Sequence, residues 1–151
     1  MSELYNTKIL RLAASIPHTT RLDNPDVTVV KTSRICGSRV TVDLKMKDGV
    51  ITEYGQEVKA CALGQASCSI VGGKAIGQTL TSFLPVKEAM EAMLKNQGPI
   101  PSEGWGVEGW DELEIFEPAI EHKSRHSAIM LPFEAIVEGL EICTEGVKSS
   151  S

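Results

Sequence analysis

The stretch SRICGSRVTVDLKMKDGVI, residues 33–51, decides the fold. Val40, Val42, Leu44 and Met46 alternate with polar residues at period two, the mark of a strand with one buried face. Lys47-Asp48-Gly49 then breaks the alternation. Gly49 can take the left-handed conformation that a tight hairpin needs, so a second strand over 50–58 returns antiparallel to 38–46. A three-residue loop at 47–49 pairs Met46 with Val50, Val42 with Tyr54 and Val40 with Gln56. That register gathers Val40, Val42, Leu44, Met46, Tyr54 and Val58 on one inward face, with Val50 beside them. A slip by one residue would turn the set to the other face. Continued to the open end of the hairpin, the register brings Cys36 within about one position of Cys61.

Working outward, Val27 and Val29 alternate within a first strand at 26–33. Residues 3–16 have helical spacing in Leu4, Ile9, Leu12, Ala13 and Ile16, and Pro17 ends them. Residues 18–25 are turn-rich. Residues 62–77, rich in Ala, Ser and Gly, fit a closely packed helix. Pro85 opens a helix over 85–96 whose stripe is Val86, Ala89, Met90, Met93 and Leu94, stopped by Gly98-Pro99. Residues 97–110 form a loop, and 111–123 a short helix with an irregular link. Trp105 and Trp110 suit either a docking surface or closure of the core over that loop, the second being preferred. A last helix at 129–142 turns Phe133, Ile136, Val137 and Leu140 inward. Pro132 belongs in a first turn, which sets 125–128 at the helix entrance. The expectation is one domain over 1–144 and a disordered tail at 145–151.

Composition bounds the function. The 151 residues are 42% hydrophobic and 23% charged, as in soluble globular proteins, and aromatics are only 5%, so aliphatic side chains must build the core. A net charge of −5 without a Lys/Arg run argues against nucleic acid as a partner. No apolar run is long enough for a bilayer, and the N-terminus is polar and amphipathic, so a cytoplasmic location with no membrane partner is expected. There the four cysteines, Cys36, Cys61, Cys68 and Cys143, would be reduced, and metal binding or catalysis outranks a disulfide frame. Each also fits a small buried apolar residue. Cys36 precedes Gly37 and suits a loop tip; Cys61 precedes a helix, whose first N–H groups favour a thiolate. No Ser-His-Asp set, phosphate loop or carboxylate pair marks an enzyme, and none is expected.

Three segments together resemble the iron–sulfur cluster scaffold family of the IscU, SufU and NifU N-terminal type, over roughly residues 3–142. SRICGSRVTVDLKMKDGVI resembles the family's Cys-Gly-Asp segment with its hairpin, Cys36 falling on the first metal cysteine. EVKACALGQASCSIVGG, residues 57–73, resembles the second, Cys61 falling on the second metal cysteine and Ala66-Ser67 on an Ala-Ser pair. SRHSAIMLPFEAI, residues 124–136, resembles the segment at the last helix through Arg125, Leu131 and Ala135. The resemblance implies an α+β fold: a small, mostly antiparallel three-stranded sheet covered on one face by helices. It implies iron or an iron–sulfur cluster held transiently through Cys36 and Cys61, with a cysteine desulfurase and cluster acceptors as partners. The chain departs from the pattern at Ser38, where the family has Asp; at Ala128, where it has Cys; and at Ser127, where it has Lys or His. Cys68 and His126 are weaker candidates to replace the lost ligands; Cys68 also fits a buried stripe and His126 a surface residue. Two further readings stand beside the scaffold: a metal-free interaction protein that keeps the fold, and a zinc-dependent sulfur acceptor.

Overall fold

The computed structural model describes residues 6–35, 37–105, 107 and 109–150, the side chains of 145–150 excepted. Cys36 lies outside the described residues. The elements run α1 (Thr7–Ala14), β1 (Val27–Thr32), β2 (Arg39–Lys47), β3 (Val50–Lys59), α2 (Ala62–Lys74), α3 (Leu80–Lys95), α4 (Pro101–Gly104), a 3₁₀ segment (Asp111–Glu121) and α5 (Lys123–Ser150). The sheet is antiparallel in the order β1-β2-β3. Helices α2 and α5 lie on its inward face, α1 packs on α2, and α3 packs on α5. This is the expected α+β class.

The β2–β3 hairpin differs from expectation in two compensating ways. The loop is two residues long: Lys47 pairs with Val50, and Asp48 and Gly49 both have positive φ, 54° and 81°. Such a turn carries the right-handed twist of the strands, which a three-residue loop at 47–49 would not. A bulge then leaves Thr52 unpaired between Met46↔Ile51 and Lys45↔Glu53, its hydroxyl donating to the Lys45 carbonyl at 3.1 Å. Val42 therefore faces Gln56, and Leu44 faces Tyr54. The net displacement from the expected pairing is two residues, an even number, so the inward face survives. Val40, Val42, Leu44 and Tyr54 are buried as expected, while Met46 and Val58 are half-buried. Ile51, not Val50, occupies the core on the near side of the bulge.

Both helix-opening prolines sit deeper than expected. Helix α3 starts five residues before Pro85, because Thr79 and Ser82 cap each other reciprocally. Pro85 leaves the Thr81 carbonyl without its helical donor, a small cost because both residues are exposed to water. Pro132 lies nine residues beyond the start of α5 and is buried. Beside the donor it lacks, Ser67 Oγ of α2 donates to the Ile129 carbonyl at 2.6 Å. The carbonyl that Pro132 deprives of its helical donor is that of Ala128, one residue before the one Ser67 holds, so the Ser67 bond ties α2 to α5 next to the interruption without replacing the lost bond.

The turn-rich segment 18–24 covers part of the outward sheet face. Asp43 points there from the middle of β2 and is fully buried. Its carboxylate accepts from Arg21 Nε at 2.6 Å and Nη2 at 3.1 Å, from the Leu22 N–H at 3.0 Å and from the Thr28 hydroxyl at 2.6 Å. Burial pushes the Asp43 carboxyl up, but Arg21, Thr28 and the Leu22 N–H outweigh burial and hold it below the usual range. Gly55 makes room for the same segment, since a Cβ there would lie 2.6 Å from the Thr20 carbonyl.

Replacing Asp43 by Ala leaves Arg21, Leu22 and Thr28 without their acceptor and should cost about 3 kcal/mol in urea unfolding. A carboxyl depressed in the folded state stabilises above its unfolded pKa of about 3.9 and loses that contribution as pH falls through the lower folded value. The unfolding free energies of wild type and Asp43→Ala should therefore converge toward strongly acid pH.

Candidate functional site

Cys61 holds the N-cap position of α2, with φ −67° and ψ 170°. Its carbonyl accepts from the Gln65 N–H at 2.9 Å, and Gln65 Nε2 ties back to the Ala60 carbonyl at 2.8 Å. No side chain caps this helix end, so its first N–H groups are left to whatever lies beside the Cys61 thiol. The thiol itself is half-buried.

The β1–β2 loop approaches the same end of the molecule. Its stem is closed by the Ser33 N–H to Ser38 carbonyl bond at 2.8 Å and the Gly37 N–H to Ser33 carbonyl bond at 2.9 Å. Ser33 Oγ lies 2.6 Å from Ser127 Oγ, which pins this loop to the first turns of α5. A cleft of about 390 Å³ opens between Ile35 of the loop, Leu94 and Lys95 of α3, and Lys123, His126 and Ser127 of α5. The β2–β3 ladder ends at Arg39↔Lys59. Two residues further along the same register, Gly37 would stand opposite Cys61.

Ala128 is fully buried and packs on the first turn of α2. A Cβ on Gly64 would meet Ala60 Cβ at 2.8 Å and the Ala128 carbonyl and Cβ at 3.4 and 3.6 Å. Gly64 is one helical turn from Cys61, so position 128 belongs to the neighbourhood of that thiol. Ser38 is also buried, at 3% exposure. These are two of the positions where the sequence lacks an expected ligand.

The two weaker candidates stand differently. Cys68 is fully buried, and burial pushes its thiol far up. Seven residues of helix separate it from Cys61, about 10 Å along the axis. Two thiolates on one zinc ion approach within about 5 Å, so these two cannot share a metal while α2 is intact. His126 is not a surface residue: it is 4% exposed. Its Nε2 lies 2.8 Å from the Ala119 carbonyl and 3.1 Å from the Ile120 carbonyl. Carbonyls only accept, so Nε2 carries a hydrogen, and Nδ1 is the nitrogen through which a neutral ring could act as a ligand. Among the described residues no three His, Cys, Asp or Glu side chains are grouped to hold a metal ion.

Both tryptophans close the core rather than forming a surface. Trp105 donates Nε1–H to the Pro99 carbonyl at 2.8 Å, and Trp110 stands edge-on to Phe83 at 5.8 Å. Sequence reasoning missed the Ser33–Ser127 link and the role of Gly64. The small residues of 62–77 signalled a close helix crossing without saying which helix crosses.

No family model matches the chain. The iron–sulfur cluster assembly scaffold protein IscU of Thermotoga maritima is 30% identical over 96 residues, which span 62% of this chain and 66% of that protein. The crystal structure of a nitrogen-fixing NifU-like protein (N-terminal) from Brucella abortus is 40% identical, with a TM-score of 0.87 over 95% of this chain and 96% of its own. A candidate scaffold protein for the SUF system from Fervidobacterium islandicum shares the fold at a TM-score of 0.80 and 19% identity, over 92% of this chain and 98% of its own. The architecture is that of a cluster-assembly scaffold domain. The chain belongs to the IscU/SufU/NifU N-terminal family of iron–sulfur cluster assembly scaffolds. No helix among the described residues is long and apolar enough to cross a membrane.

The Gly64 contact makes the entry to α2 a sensitive point. Gly64→Ala gains helix propensity of up to about 1 kcal/mol but drives its Cβ to 2.8 Å from Ala60 Cβ, so the backbone entering α2 beside Cys61 must shift. Overpacking, typically 1–3 kcal/mol, should prevail, and the thermal midpoint should fall.

Proposed function

We propose that this chain is a scaffold or carrier in iron–sulfur cluster assembly that holds iron, sulfur or a cluster as transient cargo through Cys61 and Cys36. The observation that carries the reading is the position of Cys61. It is half-buried at a helix N-terminus without a side-chain cap, two residues past the end of the β2–β3 ladder and within one turn of Gly64, which faces the buried Ala128. Thiolates are the ligands that iron–sulfur clusters take. The Thermotoga maritima relative, an iron–sulfur cluster assembly scaffold protein, supports the same reading. A cysteine desulfurase as sulfur donor and cluster acceptor proteins as recipients follow from it.

Two thiolates fall short of the four ligands that a cluster normally takes. His126 Nδ1 is a third candidate, and its Nε2–H bonds to Ala119 and Ile120 would fix the ring, as outer-shell partners do for metal-bound histidines. Cargo held this way is labile, and remaining positions are filled from outside the chain. Lability suits a carrier, which must release what it receives.

The test is anaerobic reconstitution with iron and sulfide, followed by desalting and measurement of bound iron and visible absorbance. Wild type should retain substoichiometric cargo, and Cys61→Ser or Cys36→Ser should lose most of it. The double variant Ser38→Asp with Ala128→Cys should retain at least about tenfold more, a gain equal to about 1.4 kcal/mol. Adding Cys61→Ser to it should abolish the gain. Wild type and Cys61→Ser retaining equal cargo would overturn the assignment.

A further inference from the structure

The two edges of the sheet are treated differently. The β3 edge is occupied at two places: the Ile51 N–H donates to the Gln78 carbonyl at 3.0 Å and the Gly77 N–H to the Ile51 carbonyl at 2.8 Å, and the Gln56 N–H donates to the His18 carbonyl at 2.8 Å. Among the described residues nothing pairs with the β1 edge. The Ser33 N–H bonds to Ser38, and the register from Thr32↔Arg39 to Val27↔Leu44 continues that pairing. Val27, Val29 and Lys31 therefore turn their backbone groups toward β2. Thr28, Val30 and Thr32 turn theirs outward, and among the described residues no backbone bond reaches them.

We propose that this edge pairs with the same edge of a second copy, antiparallel about a two-fold axis through Val30, to make one six-stranded sheet. Thr28-Val29-Val30-Lys31-Thr32 is nearly the same read from either end. With Val30 opposite its equivalent, Thr28 falls opposite Thr32, and every outward N–H and C=O of these residues meets a partner. Val30, 53% exposed in one copy, is covered by Val30 of the other.

Charge favours a second copy as the occupant. A two-fold interface sets a patch against itself, so a patch of one sign would repel. The strip under this edge is mixed although the chain carries −5 overall. Lys31 Nζ meets Glu138 Oε1 at 2.6 Å, and Glu134 lies among Lys95, Lys31, Lys87 and Glu91. That is three cations and three anions, able to face their own image. The antiparallel arrangement also places the two Cys61 sites toward opposite ends of the joined sheet, so pairing leaves both open. The inference stands independently of what those sites hold.

The experiment is sedimentation equilibrium of the full chain from about 1 µM to about 1 mM, the range of weak to moderate association. Wild type should dimerise with rising concentration. Val30→Pro removes an N–H that the monomer does not use, so it should keep its circular dichroism and lose the dimer. Val30→Lys and Val30→Glu each set like charges across the axis and should weaken association at least about tenfold. Their equimolar mixture should restore it, which a general loss of fold could not do. Wild type monomeric at the highest concentration, charge variants that dimerise like wild type, or a mixture that stays monomeric would each overturn the proposal.

Discussion

The close crossing of α2 and α5 is the constraint on which the rest depends. Gly64 lets the Ala128 backbone come within ordinary contact, and Ser67 bonds the Ile129 carbonyl one residue further along. Cys61 caps the start of α2, and the first turns of α5 carry His126 and Ser127, so this one contact sets the spacing between those two helix ends. A larger side chain at 64 or 67 would not remove any of those groups. It would separate them. Sites of this kind tolerate errors of only about half an ångström in their supporting shell. The small residues of α2 therefore serve geometry more than hydrophobic burial.

The sheet beneath is held from both faces. On the inward side Gln56, fully buried, donates from Nε2 to the Pro17 carbonyl at 2.9 Å and the Cys68 carbonyl at 3.3 Å, joining the end of the α1 segment to α2. On the outward side Asp43 gathers Arg21, Leu22 and Thr28. Both polar groups lie in strand interiors, and both bind the connection between α1 and β1. A segment with no regular structure is thereby fixed across the sheet. Buried polar groups with every partner in place specify a single arrangement more sharply than apolar contact alone.

Much of this was legible in the residues. Period-two alternation named the inward face of β2, and it held although both the loop length and the pairing were read differently, because two offsets of one residue sum to an even shift. The bulge at Thr52 was hidden because nothing in Ile51-Thr52-Glu53 marks which residue leaves the ladder. Prolines misled for a specific reason. Pro85 and Pro132 suit helix openings through their missing N–H, but at Pro85 the Thr81 carbonyl it leaves without a donor faces water, which makes the interior position tolerable. Asp43 offered a readable signal, since aspartate is rare inside strands and calls for a partner. Its partner, Arg21, lies 22 residues earlier, a separation that no local pattern encodes. The candidate site was legible as a list of residues through family resemblance. Its geometry was not, because it depends on which helix face meets Gly64.

Cys68 gives the protein an internal clock. Its sulfur is sealed on the buried face of α2, and burial disfavours the thiolate that alkylating reagents need. A reagent reaches it only when the helix opens, so its modification rate counts opening events, whereas Cys61 is half-exposed and reports on the site at rest. The two thiols, one at the N-cap and one in the body of the same helix, thus separate two kinds of access in a single mass spectrum: modification at Cys61 alone reads exposure at rest, and modification at both reads opening of the helix.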